Sequence, residues 1–311
     1  MARRVTALSS KGGVGKTTDL ANLGAVLADM GARVLLCDAD IQPALSKHYP
    51  LAYEAPKGIV EVITQGWIGE DCISHTVYPR LHLIKSNDGR AQLQHWLYGR
   101  PDQRTRLKSA LAAPQIDDNY DFVLIDTQGA IGPVQTAAAF AADTLVSPLP
   151  PDSQSIREFA SGTLQVLKNL EYSDNEPTTL LAPLHVLITK DRYTRNAKAL
   201  LNAVRTEFGH SDQVHFLATV VPDAVAYNEA ATLQVPVHAH NQIGGQRIPS
   251  AFEVMHRLAW ELFPDLYGLF AGGVVGDPNQ VFPSHAHQAD EAEAAPATST
   301  AGAPVAAAGG A

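Results

Sequence analysis

An apolar run, Val5–Leu8, gives way to Ser9-Ser10-Lys11-Gly12-Gly13-Val14-Gly15-Lys16-Thr17-Thr18 and then at once to the helical spacing of Leu20, Leu23 and Leu27. A strand that turns through three glycines directly into a helix leaves few folds open. Glycine lets the backbone wrap with several N–H groups facing inward, in conformations that a side chain would obstruct. The helix start adds the positive end of its dipole. Such a loop is built to hold phosphate oxygens. Lys16 can neutralise β- and γ-phosphates, and the Thr17 hydroxyl can complete the coordination of Mg²⁺. The bland alternative is a simple glycine turn, but so many fixed residue types in order arise by chance with odds on the order of 10⁻⁵.

The rest of the chain repeats this alternation. Short aliphatic or β-branched runs at Val5–Leu8, Arg33–Cys37, Leu81–Ile84, Phe122–Ile125, Thr144–Ser147, His185–Thr189 and Phe216–Val220 predict strands. Helical spacing between them predicts helices near Lys16–Met30, Arg104–Ala113, Val134–Ala142, Ser153–Glu171, Arg195–Phe208 and Ser250–Leu262. The pattern is that of α/β proteins in which helices cover both faces of a mostly parallel sheet. From Ala271 onward, Ala, Gly, Pro, Ser, Thr and His dominate with four acids and no Lys or Arg, which predicts a disordered acidic tail over 271–311 beside one domain over 1–270.

Two acids, Asp38 and Asp40, close the second predicted strand, where ligands bind in open α/β sheets. A third, Asp126, ends the apolar run Phe122–Ile125 and is followed by Thr127-Gln128-Gly129. Strict Walker spacing asks for glycine where Ser10 stands and does not require Lys11. With that lysine, Lys-Gly-Gly-x-Gly-Lys-Thr-Thr resembles the loop of the ParA/MinD family of P-loop ATPases, and the resemblance covers residues 3–265. It implies a three-layer α/β/α P-loop fold with a twisted sheet, ATP and Mg²⁺ as cofactors, and a homodimer with ATP sandwiched between the copies. Lys11 is then expected to reach the partner's phosphates, Lys16 its own, and Asp40 to orient the attacking water. Thr17, Asp38 and Asp126 are expected around Mg²⁺. Lys11, Gly12, Gly13, Val14, Gly15, Lys16, Thr17 and Thr18 form the phosphate cradle, and Pro222 and Asp223 flank the adenine. The segment to Gly129 looks like a switch, although many relatives have two prolines where Gln128-Gly129 stand here. An acid near the start of the helix after Pro151, Glu158 or Asp152, is expected to hold Lys11 before the dimer forms.

The net charge of −9, from 23 Lys+Arg and 32 Asp+Glu, argues against a surface that coats nucleic acid as a whole. Between Lys190 and Arg205, however, five cations face one acid, so Arg192, Arg195, Lys198 and Arg205 are the candidates for non-specific DNA contacts. His238/His240 and His285/His287 lack companion ligands and predict surface or tail histidines, and Cys37 predicts a core position. Two cysteines, no signal-peptide pattern and no long apolar run point to a cytoplasmic protein that does not enter membranes. A MinD-like member would end in a cationic amphipathic helix, a nitrogenase-reductase-like member needs cluster cysteines, and some plasmid relatives carry a DNA-reading domain ahead of the loop. None of these features fits. A short Soj-like partition ATPase with a ParB-like centromere-binding partner remains. Its rivals are a positioning ATPase for a secretion, conjugation or chemotaxis machine, and a biosynthetic amidoligase-like enzyme.

Overall fold

The computed structural model describes residues 1–129, 132–171, 181–209, 211–245 and 248–282. The chain enters as β1 (Arg3–Ala7), passes through the glycine loop into α1 (Lys16–Asp29) and returns as β2 (Val34–Ala39). A side excursion follows: β3 (Leu51–Tyr53), α2 (Ile59–Gln65), β4 (Ser74–Thr76) and β5 (Leu81–Ile84). Three short helices, α3 (Gln92–Leu97), α4 (Arg106–Leu111) and α5 (Pro114–Asn119), lead to β6 (Phe122–Thr127), α6 (Pro133–Ala141) and β7 (Thr144–Leu149). Next come α7 (Ser153–Glu158), a π turn over Phe159–Thr163, α8 (Leu164–Glu171), β8 (Leu184–Asp191), α9 (Arg195–Phe208) and β9 (Val214–Pro222). The helices α10 (Val225–Leu233), α11 (Val237–His240) and α12 (Ala251–Leu262) precede the two-residue strands β10 (Leu269–Phe270) and β11 (Val274–Val275).

Nine strands form one sheet in the order β3-β4-β5-β2-β6-β1-β7-β8-β9. From β5 through β2, β6, β1, β7 and β8 to β9 the pairings are parallel; at the edge β4 runs against β5 and β3 against β4, so among the described strands of this sheet β4 alone is reversed. Successive connections leave β1 toward β2 on one side, and later toward β7 on the other. The loop after β1 therefore opens at the crevice where the winding reverses. Strands β2 and β6 are buried along their whole length because helices cover both faces. Their side chains alternate: Leu35, Cys37, Val123 and Ile125 meet Val62, Leu97, Leu107 and Ala137 of the α2–α6 layer. Leu36 and Leu124 face α1, which lies so close that a Cβ on Gly24 would stand 2.7 Å from Leu36 Cδ2. Beyond β1, Leu184, Val186 and Ile188 bury against Phe159, Leu167, Leu201 and Val204.

All seven expected strands are present, and the sheet gains the two short edge strands. The expected helix over Ser153–Glu171 is interrupted by the π turn, and the one expected near Arg104 begins at Arg106. The segment after Ala271 departs from the tail reading. Ala271 N–H donates to His256 Nε2 at 2.9 Å, Gly272 N–H donates to the Asp29 carbonyl at 2.8 Å, and β10 pairs with β11. Gly272 and Gly273 take positive φ there, so glycines that read as tail composition make a hairpin turn. The first compact unit runs to Val275. A second unit begins at Gly276 and contributes one helical turn, Pro278–Val281, capped by Asp277. Residues 283–311, including His285 and His287, lie outside the described residues. Among the described residues, no helix is long and apolar enough to cross a membrane.

His256 ties that hairpin to α12: its ring also contacts the Phe252 carbonyl through Nδ1 at 2.6 Å. Burial pushes its pKa down to about 4. An unfolded chain takes up this proton below the usual value of about 6.5, so stability from the neutral ring is full above that pH and falls as pH drops toward 4. The term is on the order of 3 kcal/mol. His256→Gln is expected to flatten the decline in urea-unfolding stability between pH 7 and pH 4.5, relative to the parent chain measured side by side.

Candidate active site

The loop after β1 is held from outside by its carbonyls. Thr189 Oγ1 donates to Val14 O at 2.9 Å, Lys190 Nζ to Gly13 O at 2.6 Å, and Gln135 Nε2 to Ser9 O at 3.0 Å. The N–H groups from Gly12 to Thr18 have no partner among the described residues. Gly13 and Gly15 stand at φ +73° and +113°, where other residues are strained, and this geometry turns successive amides toward one concavity. α1 begins at the next residue and aims its dipole there. Lys16 is buried, its Nζ 3.5 Å from Lys11 O. Burial lowers its pKa, and the charges of Asp126 and Asp40 oppose that shift.

The three sequence-predicted carboxylates converge beside it. Asp38 and Asp126 are paired in register on β2 and β6, and both are fully buried. Asp38 accepts from Ser46 N–H at 2.7 Å, Ser46 Oγ at 2.6 Å and Asp40 N–H at 3.2 Å. Burial raises it to about 6 against those hydrogen bonds. Asp126 accepts from Thr17 Oγ1 at 2.6 Å, while its Oδ1 is buried with no partner among the described residues. Burial first, then the charges of Asp38 and Asp40, lift it to about 7. Asp40 is half-exposed on the wall of the cavity, and its Oδ1 accepts from Gln42 N–H at 2.9 Å. One hydroxyl, a carboxylate with an orphaned oxygen and two more acids within electrostatic reach form an oxygen-only donor set. Such a set fits a hard divalent cation such as Mg²⁺.

Lys11 points away from this centre. Its Nζ lies 3.6 Å from Glu158 Oε2 and 3.3 Å from Ser155 Oγ, which in turn donates to Asp152 Oδ2 at 2.5 Å. Of the two acids weighed for this pairing, Glu158 takes the ammonium directly and Asp152 acts through Ser155. Ser10, the departure from the strict loop pattern, docks on the π turn: its N–H donates to Thr163 Oγ1 at 3.1 Å and its Oγ to the Glu158 carbonyl at 3.1 Å. Gly129 packs against the same loop, where a Cβ would stand 2.6 Å from Gly12 Cα and N.

Loop and carboxylates open on a cavity of about 640 Å³ that Pro222, Asp223, Tyr227 and Lys190 also line. Asp223 takes Arg192 Nε at 2.7 Å, so this cation folds back onto the cavity rim. Arg195, Lys198 and Arg205 are exposed on α9, which buries Ala197, Leu201 and Val204. Arg205 also donates to Leu217 O at 3.1 Å. His238 corrects the surface expectation: it is buried with Nε2 2.6 Å from Asp29 Oδ2. Its partner sits at the end of α1, far along the sequence, where spacing gives no warning. His240 stays near the surface, 3.2 Å from Glu229. Cys37 is core as expected, its thiol pushed up by burial. Sequence reasoning missed Thr189, Lys190, Asp19 and Tyr227 as parts of this site. A lysine directly after an apolar strand and an acid in the first turn after the loop were the available signals.

Fold and site together define a P-loop nucleoside triphosphatase. Residues 2–177 match the family model described as "AAA domain". The chromosome-partitioning ATPase Soj of Thermus thermophilus is 31% identical over 241 residues, covering 76% of this chain and 88% of Soj. Among solved structures, apo McdA of Cyanothece superposes with a TM-score of 0.67 at 22% identity, covering 77% of this chain and 93% of McdA. Cobyrinic acid a,c-diamide synthase of Mycobacterium smegmatis with bound ADP and magnesium gives 0.61 at 26% identity, covering 81% and 99%. The chain belongs to the ParA/MinD family of P-loop ATPases.

The contact of Gly129 with the loop is testable. Gly129→Ala forces the segment after β6 away from Gly12, and nucleotide affinity by fluorescence titration is expected to fall by about tenfold or more, with the melting temperature nearly unchanged.

Proposed function

We propose that this chain is a partition ATPase of the Soj type. It binds ATP with Mg²⁺, pairs with a second copy across the nucleotide, holds DNA without sequence preference while paired, and hydrolyses slowly until a ParB-like partner stimulates release. The observation that carries this reading is Lys11: a loop ammonium parked on Glu158, outside the cavity that its own loop builds. A cation with no task at its own phosphates is suited to a second copy's, where it would stabilise charge developing on the γ-phosphoryl group.

In this reading the free amides from Gly12 to Thr18 hold the phosphates, and Lys16 lies against the β- and γ-oxygens. Thr17 and Asp126 hold Mg²⁺, with Asp38 in the outer layer through its fixed Ser46 contacts. The ion supplies neutralisation of phosphate charge. Asp40, the most accessible of the three acids, orients the attacking water. Pro222 and Asp223 flank the base. Arg195, Lys198 and Arg205 supply the DNA phosphate contacts, with Arg192 joining them only if it leaves Asp223. A cytoplasmic, nucleoid-associated location follows from such contacts.

A second reading, a positioning ATPase for a protein machine without DNA, draws support from the capture of Arg192 by Asp223. Random duplex separates the two. For a partition ATPase, binding appears only with ATP and weakens with salt, and each substitution among Arg195, Lys198 and Arg205 lowers the log–log salt slope by about one. An unchanged slope favours the positioning role. Lys16→Ala is expected to abolish ATP retention. Asp40→Ala is expected to give a stable ATP-bound dimer by light scattering, with turnover reduced roughly hundredfold or more. Normal turnover in Asp40→Ala removes the water-orienting role.

A further inference from the structure

Helix α6 buries an alanine-rich face, and in its first turn one polar side chain, Gln135, is buried with it at 2% exposure. A buried amide is costly unless its hydrogen bonds are made, so its partners have to be accounted for. Its Nε2 donates to Ser9 O at 3.0 Å and to Gln128 O at 3.2 Å. Both partners are acceptors. Only the two primary amides, asparagine and glutamine, carry two N–H donors on one uncharged nitrogen, so this position asks for one of them.

The two carbonyls belong to different parts of the site. Gln128 lies two residues after Asp126, and Ser9 lies two residues before Lys11. The Ser9–Ser10 peptide is held at both ends, its oxygen by Gln135 and its N–H by Thr163 Oγ1 at 3.1 Å. A planar peptide gripped by its oxygen and its N–H has no freedom to turn. Ser9 Oγ then accepts the Lys11 N–H at 3.1 Å. The backbone direction from which Lys11 leaves the loop is therefore fixed just upstream of it. The resting contacts of the Lys11 ammonium with Glu158 and Ser155 are partly exposed and exchangeable, whereas Gln135 and Thr163 are both buried.

We propose that Gln135 is a positioning residue for Lys11. It lies outside the cavity lining and acts through the Ser9–Ser10 peptide, which it holds so that the ammonium is aimed at a second copy's phosphates. Through Gln128 the same nitrogen ties that aim to the segment carrying Asp126. The inference rests on the role of Lys11 given above and adds the residue that directs it. A cation that stabilises developing charge works within a narrow geometry, and a displacement of about 1 Å costs up to roughly a hundredfold in rate. The chain's own phosphate site, built from the amides of Gly12–Thr18 and from Lys16, lies downstream of the clamp and does not need it.

Turnover of the full chain with ATP and Mg²⁺, beside ADP affinity from isothermal titration, tests the assignment in Gln135→Met, Lys11→Ala and the double variant. Methionine keeps the length of the side chain and removes both donors. Gln135→Met is expected to lower turnover about tenfold or more while ADP affinity stays within about twofold of the parent. With alanine at position 11, the same substitution is expected to change turnover by less than about twofold, because its effect runs through Lys11. Thr163→Val, which frees the other end of the same peptide, is expected to follow Gln135→Met. A tenfold loss that persists in the Lys11→Ala background, or a parallel loss of ADP affinity, overturns the positioning role and leaves Gln135 as a brace for the loop. Should Gln135→Met not fold, Thr163→Val decides, and normal turnover there overturns the proposal. Normal turnover in Lys11→Ala overturns the reading of Lys11 itself, whereas a defective Lys11→Ala beside a normal Gln135→Met overturns only this inference.

Discussion

Everything at the active site depends on where the carbonyls of the glycine loop go. Thr189 and Lys190, at the end of β8, take the carbonyls of Val14 and Gly13. A peptide plane whose oxygen is fastened outward must turn its N–H inward, so two side chains on a neighbouring strand set the amide cradle. Lys190 adopts φ +54° to do this, a costly conformation for a lysine. That strain is tolerable because the surrounding sheet fixes β8 on both sides. The geometry of the phosphate site is thus written partly in a strand that lies about 175 residues further along the chain.

The second constraint is electrostatic. Asp38, Asp126 and Asp19 are all buried, and burial raises each pKa. Unpaired buried charge is costly, and a sequence selected for stability alone would fill these positions with apolar groups. Asp38 is moderated by Ser46, and Asp126 by Thr17, but one oxygen of Asp126 stays without a partner. The site is therefore under-satisfied in the direction that a cation and a nucleotide would correct. Ligand binding and stabilisation of the fold are coupled through these groups.

Much of this was legible in the sequence because the signals were local. A glycine loop between a strand and a helix, acids at the ends of apolar strands, and alternating periodicities all lie within windows of about ten residues. The α/β class, the seven longer strands and the convergence of Lys16, Thr17, Asp38, Asp40 and Asp126 followed from them. What was not legible is non-local or too short. β3 and β4 are three residues each, below the length at which alternation is visible. The β10–β11 hairpin is built from Ala-Gly-Gly-Val, which composition alone cannot separate from a tail, and it is held to the body by His256, Asp29 and Trp260, residues distant in sequence from the glycines or on another helix. The burial of His238 and the unfinished hydroxyl of Tyr227 depend on helices that meet α1 only in three dimensions.

The resting position of Lys11 raises the question of what holds it there. Its pair with Glu158 spans 3.6 Å between partly exposed groups, an arrangement worth no more than about 1 kcal/mol after screening by solvent. Transfer to a triphosphate's concentrated charge outweighs that easily. The firmer restraint is the dock beneath it: Ser10 bonds through both N–H and hydroxyl to Thr163 and the Glu158 carbonyl, and Gly162 leaves room for it. These bonds fasten the root of the loop to a π turn, a form that costs helix geometry and tends to persist where function uses it. The side chain of Lys11 can therefore swing while its backbone stays in place. Release of the ammonium therefore leaves the cradle undisturbed.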